Sequence, residues 1–215
     1  MDFSKIPFLI TKDESHELYE YQGNVLKSPL LSDEEKLIRL AIIQTLAPVE
    51  DWESAAELLK GYIYSFNKFN LLIGAFIALT AFESVRYKNI SFFISLINNN
   101  MPILKDESLS VACFIKARYI IEKGENLNEA IALLKQSIIE GPQFVMNYME
   151  LSRYADQELK KQYIRKACEN VKSTFDNKTD ISTSELIEPR NFFNERILEI
   201  DMNKEFYQKL LSQCN

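Results

Sequence analysis

DWESAAELLKGYI, residues 51–63, decides how the rest of the chain reads. Trp52, Ala55, Ala56, Leu59, Tyr62 and Ile63 recur at the three- and four-residue steps that place side chains on one face of a helix. Asp51 and Glu53 sit at its start, where negative charge complements the helix dipole. Two positions on that face are alanine, where a larger residue would fill more core. Alanine at such a place predicts that a neighbouring helix comes close, and the nearest candidate is the preceding one, crossing at Ile42 and Ile43.

Outward from this stretch, helix signals recur along the chain. SDEEKLIRLAIIQTL opens on Ser32 with Glu35 three residues later, a capping box in which each side chain satisfies the other's free backbone N–H. Pro48 is expected to end that helix. Further helices are expected over 71–85, 89–98, 107–123, 127–140, 143–154 and 158–173, with stops at Gly124 and at Gly141-Pro142. No run alternates like a strand between turn residues, so the fold class is all-α. Only 5 glycines and 6 prolines in 215 residues agree with helices joined by short loops.

The helices alternate in a way that points to a repeat. Apolar or small residues spaced i, i+4, i+7 occur in the second helix of each pair: Ala55/Leu59/Tyr62, Ile90/Ile94/Ile97, Ala130/Leu134/Ser137 and Ile164/Cys168/Val171. The trios start at intervals of 35, 40 and 34 residues. NLNEAIALLKQSI (126–138) shares its frame with residues 51–63, with Ala at the fifth position and Leu at the ninth.

These two stretches resemble the second helix of a tetratricopeptide repeat, a unit of about 34 residues built as helix–turn–helix. Pro142 falls where that family often ends a unit. The resemblance runs over about 35–173 and departs from the pattern in the first helices. There Ile42-Ile43, Ile77-Ala78, Ala117-Arg118 and Leu151-Ser152 stand in place of the family's Leu–Gly pair. Arg118 is too large for the glycine role, which implies a wider crossing or a rotated helix. Extra residues around NNNMPILKDES lengthen one interval.

The resemblance implies a right-handed α-solenoid of antiparallel helix pairs, about four degenerate repeats, with non-repeat helical caps at both ends. An irregular helical bundle is the alternative. The expected organisation is an N-terminal helical extension over 1–31, with a helix at 13–26, a repeat array over 32–173, and a linker with capping helices over 174–215. All three form one continuous domain. In the last segment Ser182 and Glu185 give a second capping box, and Phe192, Phe193, Ile197, Phe206, Leu210 and Leu211 are expected to pack inward.

Composition narrows the function. A formal charge of −6 disfavours general nucleic-acid binding, which needs a basic surface to release counterions. Cys113, Cys168 and Cys214 have no metal or redox spacing and read as free thiols in a reducing compartment, so a cytoplasmic location is expected. MDFSKIPFLITKDE is not expected to act as a signal peptide. The longest apolar run, LLIGAFIALTAF, has 12 residues, short of the ~20 that span a bilayer, and is expected to be a buried helix.

Chemistry is sparse. The single histidine, His16, reads as a surface residue, and no cofactor or metal site is expected. The acidic pairs Asp33/Glu34/Glu35 and Asp106/Glu107 start helices, so capping explains them. No nucleophile elbow or phosphate loop occurs, and the chain is expected not to be an enzyme. Lys160, Lys161, Arg165 and Lys166 form a basic face, read as solvated or as a dock for an acidic partner.

In a solenoid the first helices line the concave side. That assigns Leu72, Leu79, Phe82, Ile115, Tyr119, Glu122, Met146, Met149, Arg153 and Asp156 to a groove. A partner protein or peptide, a second copy of the chain, or its own termini would cover such a stripe. The leading expectation is a non-catalytic module that binds a protein segment there. An immunity- or antitoxin-like protein that covers a toxic enzyme is one alternative. A ligand-responsive regulator, or an enzyme with an unrecognised site, is another.

Overall fold

A computed structural model of the chain describes residues 11–13, 15–47, 51–175 and 188–189, with side chains omitted at 65 and 171–175. Among these residues the structure is helical, without strands. The helices are α1 (His16–Lys27), α2 (Asp33–Thr45), α3 (Trp52–Lys60), α4 (Lys68–Val85), α5 (Ile90–Asn100), α6 (Asp106–Glu122), α7 (Leu127–Glu140), α8 (Val145–Ser152) and α9 (Gln157–Phe175). Short 3-10 turns cover Ile63–Ser65 and Met101–Ile103. The chain divides into two compact units, Met1–Asn100 with Ser182–Phe192, and Met101–Ile181 with Phe193–Asn215. The division falls inside the expected 32–173 array, at the extra residues that lengthen its second interval, the one of 40 residues.

Local chemistry sets the helix ends. Ser32 Oγ accepts from the Glu35 N–H at 3.3 Å while Glu35 Oε2 accepts from the Ser32 N–H at 2.8 Å, so the expected capping box forms. Asp51 and Asn126 cap α3 and α7 through the N–H groups of Ser54 and Glu129. At the end of α6 the Gly124 N–H donates to Ile121 O at 2.9 Å and the Glu125 N–H to Ile120 O at 3.0 Å. This is a Schellman closure, and Gly124 adopts the left-handed φ of 65° it requires. Pro48 and the Ser182/Glu185 pair lie outside the described residues, as do the expected inward-packing residues from 192 onward.

In the first unit α1 packs on α2, α2 on α3, α3 on α4 and α4 on α5. Trp52, Ala55, Ala56 and Leu59 are buried, as are Ile42 and Ile43 on α2. Full burial of side chains such as Leu59 contributes about 1.5–3 kcal/mol each. Tyr62 departs from the expected trio: α3 ends at Lys60, and Tyr62 turns outward into the following loop. The outward turn lets Ile63 reach α4, where a Cβ on Gly74 would collide with Ile63 and lie 3.5 Å from Phe93. α4 has 18 residues and a mean hydropathy of 1.4, enough by length and composition to cross a membrane, and 61% of it is buried. The helix expected over 71–85 begins three residues earlier, at Lys68, and ends where expected.

In the second unit α6 packs on α7, α7 on α8 and α8 on α9. Ala130, Leu134 and Ser137 all face the core. At the α6–α7 crossing Ser110 Oγ donates to Ser137 O at 2.7 Å, and Ser137 Oγ donates to Ser110 O at 2.6 Å. These two hydroxyls take carbonyls already used in their own helices and draw the backbones together. Gly141 sits beside the pair, and a Cβ there would strike Ser110 Oγ and the Phe144 ring. Small residues at this crossing therefore have a polar reason as well as a steric one.

Cys113 is a buried free thiol, and burial followed by the nearby Glu140 charge pushes its pKa up to about 11. Cys168, by contrast, is disulfide-bonded, which corrects the expectation of free thiols throughout. Separation along the chain does not fix separation in space.

Candidate functional site

Among the described residues, a cluster of charged side chains with defined geometry lies at the C-terminal ends of α6 and α8, in the second unit. Arg118 projects from α6, and Glu150 from α8. Arg118 Nη1 lies 2.8 Å from Glu150 Oε2, and Arg153 Nη1 lies 3.0 Å from the same oxygen. The other carboxylate oxygen accepts from the Tyr154 hydroxyl at 3.0 Å. Arg118 Nη2 also reaches Glu122 Oε1 at 3.5 Å. The Glu150 side chain is 1% exposed and that of Arg118 10%, whereas Arg153 is 56% exposed. The cluster thus has a buried pair at its base and a solvent-facing arginine above it. Burial raises the Tyr154 pKa, and the Glu150 charge and hydrogen bond raise it further, so the phenol stays protonated as a donor.

Glu122 and Arg153 were expected in the groove and both belong to this cluster. Asp156 is exposed close by in sequence and accepts from the N–H groups of Glu158 and Leu159, capping α9. The other groove residues divide by burial. Leu72, Leu79, Ile115 and Met146 are buried core residues. Phe82, Tyr119 and Met149 are half-buried. At the four buried positions the side chain is spent on the molecule's own interior, which leaves Tyr119, Glu122, Met149, Arg153 and Asp156 as the part of the second unit's set that reaches the surface. Phe82 does so in the first unit.

Lys160, Lys161, Arg165 and Lys166 are all exposed on α9. Lys166 pairs with Glu169 at 3.0 Å, and Glu158 shares the helix surface, so acids interrupt the basic face. His16 lies 3.6 Å from Glu20, both exposed on α1. Among the described residues no group of three or more His, Cys, Asp or Glu is arranged to hold a metal ion.

A second class of polar contact joins α2, α3 and α6 each to the helix two places later or to the residues just before it. Glu34 Oε1 on α2 accepts from the Asn67 N–H at 2.8 Å and from Asn70 Nδ2 at 2.6 Å, at the start of α4. Glu57 Oε1 on α3 accepts from the Tyr87 hydroxyl and Asn89 Nδ2, both at 2.7 Å, just before α5. Glu107 Oε1 on α6 accepts from Gln143 Nε2 at 2.9 Å, ahead of α8. Asn147 Nδ2 on α8 donates to Ser110 Oγ on α6 at 3.3 Å. Burial works against the Glu57 anion, but hydrogen bonds from Tyr87 and Asn89 and the charge of Lys60 outweigh it and lower the pKa. The same contact, after burial, raises that of Tyr87.

Sequence reading missed Glu150 and understood Arg118 only as a misfit. One signal was available. Arg118 interrupts an apolar helix face, and Glu150 falls four residues after core Met146. Opposite charges that each occupy an apolar face need one another. No known protein family, curated protein or solved structure matches this chain.

Proposed function

We propose that the chain is a degenerate helix–turn–helix repeat protein, a right-handed α-solenoid of antiparallel pairs. In this reading it serves as a non-catalytic module that holds a protein segment. The observation that carries it is the set of ties from one helix to the helix two places on. They span 33 residues for Glu34–Asn67, 32 for Glu57–Asn89, 36 for Glu107–Gln143 and 32 for Arg118–Glu150. In an array of two-helix units, two helices on is the same position in the next unit, so a recurring spacing of this size is what stacking requires. The partner contacts Tyr119, Glu122, Met149, Arg153 and Asp156, where an aromatic, a methionine and an arginine offer the residue types favoured at interfaces.

The test is affinity capture from native lysate with wild-type protein, the double variant Tyr119→Glu/Asp156→Lys, and Lys135→Glu on α7 as control. Captured proteins are identified by mass spectrometry, and circular dichroism verifies folding. A partner held by wild type and by Lys135→Glu, and reduced at least about tenfold with the double variant, supports the reading. Identical partner lists for all three would overturn it.

A further inference from the structure

We draw no further inference here: the strongest candidate, the outward-facing aromatic patch of Tyr62, Tyr64 and Phe92 around the 3-10 turn that follows α3, has 73% of Tyr64 exposed with its ring 5.0 Å from that of Phe92, but nothing in the structure shows what covers it.

Discussion

Arg118 and Glu150 meet at 2.8 Å with both side chains at or below a tenth exposure, so each charge offsets part of the other's desolvation. Removing Glu150 takes the 2.8 Å carboxylate from a guanidinium that is only a tenth exposed and keeps Glu122 at 3.5 Å. Glu150→Ala is expected to cost about 3–5 kcal/mol. Arg153→Ala removes the exposed arm of the same cluster and is expected to cost about 0–1 kcal/mol. Urea denaturation of both variants measures the difference, and equal losses would mean that Arg118 is solvated in some other way. The paired replacement Arg118→Met/Glu150→Leu is expected to retain most of the stability, because it removes both desolvation penalties together.

The Ser110–Ser137 exchange makes a different prediction. Each hydroxyl donates to the other residue's carbonyl, so the two substitutions are not independent. Ser110→Ala also takes an acceptor from Asn147. Each single alanine variant is expected to lose about 1–3 kcal/mol, and a double-mutant cycle to show coupling of at least about 0.5 kcal/mol. Strict additivity would mean that the contact contributes nothing specific.

Ala55 tests the packing of α3. It is fully buried, and α3 packs on both α2 and α4. Ala55→Leu adds volume at a fully buried position, and about 1–3 kcal/mol of destabilisation is expected. A melting temperature equal to that of wild type would show that the interface can open without cost.

Glu57 predicts a pH dependence. Its folded pKa lies below the ordinary 4.5, so the unfolded chain takes up a proton at a higher pH than the native state does. The contribution is therefore complete above the unfolded value and is lost as pH falls through the folded one. In thermal melts, the gap between wild type and Glu57→Gln is expected to be widest at neutral pH and to shrink on acidification below about 4.5. A gap that stays constant from pH 7 to pH 3 would separate the Tyr87–Asn89 contacts from the charge of Glu57.

The all-α class was legible because its determinants are local. Ser32 and Glu35 lie within one turn of each other, and Gly124 needs only the end of its own helix. Burial of Ala55, Ala130 and Leu134 was equally readable, since a 3.6-residue period survives whatever the partner helix is. Groove membership was harder to read. The frame gives a residue's direction from its helix but not what stands opposite it, so Leu72 and Arg153 looked alike in sequence and differ in exposure. Glu150 was hidden for the same reason, because the arginine that makes its burial tolerable lies 32 residues away. Tyr62 strayed because α3 stops short of it, and helix ends are the least certain feature of a periodic pattern.

One tie differs from the rest in reach. Arg39 on α2 pairs with Glu188 at 2.8 Å across a sequence separation of 149 residues, whereas the helix-to-helix ties described above span no more than 37. Synthesis is vectorial, at about 5–20 residues per second, so α2 leaves the ribosome many seconds before Glu188 is made. The short ties can close on the nascent chain in order of their appearance. Arg39 can pair only once Glu188 has been made, so this tie closes later than the short ones and returns to one of the first helices synthesised.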